Sequence, residues 1–296
     1  MHITAIVPIY NEEPMLPFFL DYYTRICDYI VFFDGKSTDR SREIILNYMG
    51  TTSCHIELRV NPSVGTVDIY NPSFSQCPNQ SLHYIRTHGW RSLFQEIEGL
   101  PEWVFVVDCD EFVWHPMGVR TKLQRYDSQG ISFPSPTNIQ MLSREFPKHD
   151  SSAMLHRLVP QGYIDPSIEG VKRLAFNTKY KKDFHFKEFG YRVPGENTFD
   201  HEPIIDRLKV LHYPKLGFNF FKRRVSQKGD RVSDANKQFG LSYHYADQAG
   251  MTEEQFEALY RHPGFVSDIH NPHAYPNFCV LPHEVRDRSP NSPFIQ

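Results

Sequence analysis

Within the first 60 residues short apolar runs alternate with helical periods, and this alternation restricts the fold more than any other feature of the chain. Ile3-Thr4-Ala5-Ile6-Val7-Pro8 is rich in β-branched residues and closed by proline, which reads as a buried strand ending near Ile9. From Glu12 to Tyr23, Met15, Leu16, Phe18, Phe19 and Tyr22 recur at near-helical spacing. Tyr29-Ile30-Val31-Phe32-Phe33 is a second apolar run that stops at Asp34-Gly35. Ser37-Thr38-Asp39 offers capping side chains for a helix from Arg40 to Met49 with a buried face of Ile44, Ile45 and Tyr48, and Ile56 to Val60 gives a third strand. Strand, helix, strand, helix, strand in that order implies a parallel sheet covered by helices, hence an α/β fold.

Periodicity fails between Asn61 and Ser81, where Pro, Ser and Asn predict a loop, and a helix is expected from about Gln80 to Glu98. Trp103-Val104-Phe105-Val106-Val107 is the most apolar strand in the chain and runs into Asp108-Cys109-Asp110-Glu111-Phe112. After Gly130 the pattern becomes irregular, with short strands expected at Gly130 to Phe133 and Arg207 to His212. With no repeat or linker in view, the expected organisation is one domain over 1–245, in halves 1–115 and 116–245, followed by a C-terminal extension over 246–296.

Charge and cysteine content exclude several function classes. Lys and Arg number 32 against 35 Asp and Glu, a net charge of −3 that provides no footprint for a nucleic-acid backbone. The longest apolar runs fall far short of the ~20 residues of a membrane span, and Met1-His2-Ile3-Thr4 lacks the basic and apolar regions of a secretory leader, so a cytoplasmic protein is expected. The five cysteines are odd in number and lack CxxC spacing, which points to reduced thiols.

The chemistry concentrates at Asp108 and Asp110. In an extended chain residues two apart face the same way, so a DxD just past a buried strand holds two carboxylates toward the crevice at the carboxyl edge of the sheet. Paired hard oxygens suit Mn²⁺ or Mg²⁺, ions that keep open positions for phosphate oxygens. The plainer alternative has one aspartate capping a turn and the other solvated. Against it stands Glu111, a third acid whose clustering at a strand end would be costly to leave unneutralised.

These residues carry a family resemblance. Ile6-Val7-Pro8-Ile9-Tyr10-Asn11-Glu12, Phe33-Asp34-Gly35-Lys36-Ser37-Thr38-Asp39 and Asp108-Cys109-Asp110-Glu111-Phe112 resemble, in that order, the GT-A glycosyltransferases of the family 2 type, over about the first 115 residues, and Leu211-His212-Tyr213 fits a later motif of such enzymes. The resemblance implies a GT-A fold, with a Rossmann-like nucleotide-binding half and an acceptor-side half. It also implies transfer, usually inverting, from a nucleoside-diphosphate sugar, UDP by default, to a glycan or lipid-linked acceptor in surface polysaccharide or glycan synthesis. Any membrane contact would be peripheral and through that acceptor. By the same resemblance Pro8, Tyr10 and Glu12 hold the nucleoside, Asp34 reads the base, Asp108 faces ribose and metal, and Asp110 binds the metal that bridges the diphosphate. Lys36 departs from the family, in which a second acid before the glycine and a serine after it are more usual.

His212 follows the apolar Leu208, Val210 and Leu211, and as a neutral imidazole it would complete a metal sphere beside two carboxylates, although among 15 histidines a structural role is as ordinary. His185 and His244 are weaker candidates of the same kind. An inverting transfer needs a carboxylate base for the acceptor hydroxyl. Glu169, Glu188, Glu196, Asp200 and Glu202 all fall in the expected region, with Asp200 and Glu188 ranked first by their distance from Asp110. Arg173 and Arg224 are the candidates for phosphate contact, since a guanidinium binds phosphate bidentately, while most neighbouring lysines read as a solvated face.

Two other readings compete. Asp108 and Asp110 would serve a haloacid-dehalogenase-type phosphatase as nucleophile and general acid, with Gly229-Asp230 to Asp234 imitating its later acids, but those should follow an apolar strand and Lys222 to Lys228 is basic and polar. A catalytically dead sugar-nucleotide-binding module would bind without turnover, and the intact DxD argues against it.

Overall fold

In the computed structural model, which describes residues 1–60, 102–164, 174–179, 203–229 and 248–276, the strands fall into two sheets. In chain order they are β1 (Ile3–Ile9), β2 (Tyr29–Asp34), β3 (His55–Val60), β4 (Trp103–Val106), β5 (Glu111–Trp114), β6 (Thr137–Ser143), β7 (Gly162–Ile164), β8 (Ala175–Asn177), β9 (Lys209–Leu216) and β10 (Phe265–Val266). The α-helices are α1 (Leu16–Tyr23), α2 (Ser41–Tyr48), α3 (Val119–Ser128), α4 (Leu155–Leu158), α5 (Phe218–Gly229) and α6 (Glu253–Ala258).

The first sheet has the order β3-β2-β1-β4-β8, with β1 to β4 parallel and β8 antiparallel at the edge. All six residues of β2 are buried, as expected for strands covered on both faces, which read as continuous apolar runs rather than alternations. The chain moves outward from β1 to β2 and β3, then returns to the other flank of β1 as β4. Strand order reverses between β1 and β4, and in open α/β sheets the crevice at such a switch point, outside the carboxyl ends, is where ligands bind. The α/β class and the Rossmann-like parallel half expected from the sequence are therefore present.

The second sheet has the order β10-β7-β6-β9-β5; only β6 and β9 run parallel. β5 follows the DxD directly, so the acidic segment is the hinge between the sheets. α1 joins them. Phe19 and Tyr23 stack at 4.3 Å, and Tyr23 packs against Phe105 of β4 and Phe112 of β5. Tyr22 Oη donates to Val113 O at 2.7 Å, and Tyr23 Oη donates to Glu111 O at 2.8 Å while accepting the Val113 N–H at 3.0 Å.

Some expected bounds move. α1 begins at Leu16 rather than Glu12: Met15 N and Leu16 N close a turn on Glu12 O at 2.9 and 3.0 Å, but Pro17 has no N–H to continue it on Glu13 O. Gly130 to Phe133 is not a strand, although Ser132 O accepts the Asn177 N–H at 2.7 Å beside β8. The strand expected at Arg207 to His212 starts at Lys209 and runs on to Leu216. Residues 248–276 carry β10, which pairs with β7, and bury Ile269 and Tyr275 in the main core. The loop and helix expected between 61 and 98 lie outside the described residues.

Candidate active site

The two loops entering the crevice from β1 and β2 brace each other. Asn11, in the left-handed region at φ 53°, accepts the Thr38 N–H through Oδ1 at 2.8 Å, while its own N–H donates to Ser37 Oγ at 3.0 Å. Glu12 N donates to the buried Ser41 Oγ at 2.8 Å, and Glu13 N to Asp39 Oδ2 at 3.1 Å. Asp34, fully buried at the end of β2, receives the Ser37 N–H on Oδ1 at 2.9 Å, and its Oδ2 lies 3.5 Å from Arg42 Nε with no hydrogen-bond donor among the described residues. Lys36 is exposed at φ 67°, as a solvated turn lysine would be. Pro8 and Tyr10 are half-buried beside these loops.

Asp108 and Asp110 are not on an extended run. Glu111 N donates to Asp108 O at 3.0 Å, and Asp108 N donates to Glu111 Oε2 at 2.9 Å, so the four residues close a turn that Glu111 clamps from both ends. The expected alternation does not apply, because the chain turns here as it passes from β4 in one sheet to β5 in the other. Cys109 is wholly buried inside that turn, and burial first, with Glu12 next, pushes its thiol well above the ordinary range. Asp110 is fully buried, Asp108 half-buried, and Asp110 O accepts the Tyr213 N–H of β9 at 2.8 Å.

β9 and α5 bring the remaining groups. Register pairs Glu111 with His212, which sets His212 Nε2 3.5 Å from Asp110 Oδ2. Gly217 turns the chain from β9 into α5 at φ 82°, where a Cβ would meet Phe146 N at 3.0 Å, so glycine is required on both counts. α5 then carries Arg224 into the crevice. Its Nη1 and Nη2 donate to Glu12 Oε2 and Oε1 at 2.7 and 2.9 Å, and Nη2 also lies 3.0 Å from Asp110 Oδ2.

The electrostatics follow from this arrangement. Burial works against ionising Asp110, but Arg224, Lys228 and His212 together hold its carboxyl well below the usual carboxylate range. Glu12 moves the other way: burial, reinforced by Asp110, pushes it up to about 7 in spite of Arg224. One guanidinium thus serves two buried carboxylates and favours Asp110.

A divalent ion fits part of this set. Among the described residues no three His, Cys, Asp or Glu side chains already converge on one point. Yet neither carboxylate oxygen of Asp110 receives a well-directed hydrogen bond among those residues. Its 3.5 Å separation from His212 Nε2 is wider than the ~3.0 Å that two adjacent ligands of an octahedral ion, each ~2.1 Å from it, would span, so binding would draw the two side chains together. Asp110 and His212 are suited to hold the ion, with Asp108 two residues away on the same turn.

Of the sequence-derived candidates, the structure brings Glu12, Asp110, His212 and Arg224 together, with Asp108 adjacent and Asp34 one loop away. Glu12, expected at the nucleoside, pairs with Arg224, and Arg224, expected on phosphate, lies against the carboxylates of Glu12 and Asp110. Arg173, Asp200 and Glu188 lie outside the described residues, as do His185, His244, Glu169, Glu196 and Glu202. Glu111 as the clamp of the acidic turn was missed, although an acid three residues after Asp108 was a visible signal. Residues 218–229 form a helix, not the apolar strand that the phosphatase reading requires before its later acids.

No protein-family model and no curated protein matches the chain. Among solved structures, S. aureus TarS is similar at 12% identity and a TM-score of 0.37, covering 86% of this chain and 44% of that one. TarS 1-349 in complex with UDP-GlcNAc aligns at 12% identity and a TM-score of 0.36, covering 86% of this chain and 77% of that one. The mannosyltransferase Ktr4p from S. cerevisiae aligns at 8% identity and a TM-score of 0.31, over 46% of this chain and 38% of that one. The chain thus spans less than half the length of the first of these TarS chains and of the Ktr4p chain. These likenesses are slight, and the functional reading rests on the residues of this chain.

Proposed function

We propose that the protein is a metal-dependent, inverting glycosyltransferase that moves a sugar from a nucleoside-diphosphate donor, UDP-linked by preference, to a glycan or lipid-linked acceptor. The observation that carries this reading is Asp110: a fully buried carboxylate at the switch-point crevice, held ionised, without a well-directed donor on either oxygen and facing His212. Arg224, 3.0 Å away, already offsets that charge, but buried carboxylate oxygens left without a well-directed donor suit a further cation. Asp110 and His212, with Asp108, would hold Mn²⁺ or Mg²⁺, which when bound stabilises the charge that develops on the departing diphosphate.

The other residues bind and orient. Asp34, with an oxygen lacking a donor at the end of β2, suits an N–H of the base, and half-buried Tyr10 and Pro8 flank it. Arg224 brings a guanidinium to the phosphate end of the crevice. The base that takes the acceptor proton is sought at Asp200 and Glu188, acids of the chain's second half.

The test is release of UDP from UDP-sugars with Mn²⁺, in the presence and absence of candidate acceptors. Metal-dependent release that Asp110→Asn abolishes in a folded variant supports the reading. Release that is indifferent to both Mn²⁺ and Asp110 contradicts it.

A further inference from the structure

Arg224 and a divalent ion have incompatible claims on Asp110. The guanidinium lies 3.0 Å from Asp110 Oδ2, and that same oxygen faces His212 Nε2 at 3.5 Å. An ion between Asp110 and His212 would stand against the guanidinium, and like charges at contact repel strongly where water is excluded. The fork nevertheless has a second seat. Nη2 is shared, 2.9 Å from Glu12 Oε1 as well as 3.0 Å from Asp110, while Nη1 belongs to Glu12 alone at 2.7 Å. A small rotation toward Glu12 would release Asp110 without leaving the guanidinium unpaired. Its Nε–H is buried and has no acceptor among the described residues, so a donor is in reserve. A nucleoside diphosphate with one divalent ion still carries negative charge, which such a donor suits.

We propose that Arg224 is a switching counter-ion: it neutralises Asp110 while no divalent ion is bound, and arrival of the ion releases it onto Glu12 and toward the donor's diphosphate. Glu12 is then a positioning residue, acting through Arg224 and not through the nucleoside. The inference rests on the metal site described under the proposed function, and the experiment separates the two.

Mn²⁺ binding is measured by calorimetry on the full chain without nucleotide, for wild type, Asp110→Asn, Glu12→Gln and Glu12→Gln/Arg224→Met. The double variant keeps a single carboxylate of the pair and no guanidinium, so it avoids burying two uncompensated charges, and circular dichroism reports its fold. Glu12→Gln leaves Arg224 wholly on Asp110 and is expected to weaken Mn²⁺ by about tenfold, the effect of ~1.4 kcal/mol. Adding Arg224→Met removes the competitor and is expected to return affinity to the wild-type value or beyond, while UDP at saturating Mn²⁺ binds more weakly than to Glu12→Gln. Mn²⁺ affinity that Glu12→Gln leaves unchanged, or that Arg224→Met does not recover, overturns the switch, and the first of these decides even without the double variant. If Asp110→Asn does not alter Mn²⁺ binding, the metal site itself is wrong and the switch falls with it.

Discussion

Asp110 is the side chain on which the chemistry converges. It combines complete burial, a carboxyl held well below the ordinary range and oxygens that lack well-directed donors among the described residues. Losing a partner that merely orients a metal ligand costs 10–100-fold in metal affinity, so loss of a ligand is expected to cost at least about tenfold. His212→Ala should accordingly raise the Mn²⁺ concentration needed for half-maximal UDP binding by about that factor. An unchanged metal titration would return His212 to a structural role beside Glu111. Asp108 and Asp110 were legible because they follow the end of an apolar strand, where an acid needs a reason to be, whereas His212 stands inside β9 and was marked only by its apolar neighbours Val210 and Leu211. The pairing of Glu12 with Arg224 was not, because the partners are 212 residues apart and nothing local to either names the other.

The strands and helices differ in how plainly the chain announces them. β1, β2 and β4 are continuous apolar runs because both faces are covered, and such runs are read directly. β6 is just as buried but turns Thr137, Asn138 and Gln140 inward, and its parallel partner β9 is distant in sequence, so neither apolar pattern nor turn signals reveal the second sheet. The acidic turn was hidden for another reason: alternation assumes an extended chain, and Glu111 closes this one. Two substitutions test the joints. Gly217→Ala places a side chain in the left-handed region and against Phe146 N, and should destabilise the fold by about 1–2 kcal/mol, lowering Tm. Unchanged Tm would mean that the β9–α5 corner relaxes freely. Tyr23→Phe strips partners from Glu111 O and the Val113 N–H in the core, at an expected cost of about 1–3 kcal/mol in urea unfolding. A loss under half the lower figure would show that α1 does not tie the sheets through that hydroxyl.

Across the protein, stability should carry a pH signature from buried neutral histidines. His115 Nδ1 accepts the Met117 N–H at 3.2 Å and Nε2 faces Asp206 O at 3.2 Å, so the neutral Nε2–H form satisfies both partners and a second proton would confront a donor. Burial, with Lys209 nearby, lowers His115 to about 4, and burial with His270 lowers His156 to about 4. Unfolded histidine titrates near 6.5. Between about pH 6.5 and 4 the unfolded chain binds more protons than the folded one, so stability is intact above that window and falls as pH falls through it. Tm followed from pH 7 to 4 should drop, and less steeply in His115→Gln; identical slopes would remove His115 from the titration.

The most direct measurement is calorimetric titration of the full chain with UDP, GDP, CDP and dTDP, each with and without Mn²⁺, beside folded Asp110→Asn. Tight binding of one nucleotide that requires Mn²⁺ and disappears in the variant is the predicted result, with UDP the expected nucleotide. Binding of none of the four, or binding indifferent to Mn²⁺ and to Asp110, would contradict a metal-dependent glycosyltransferase.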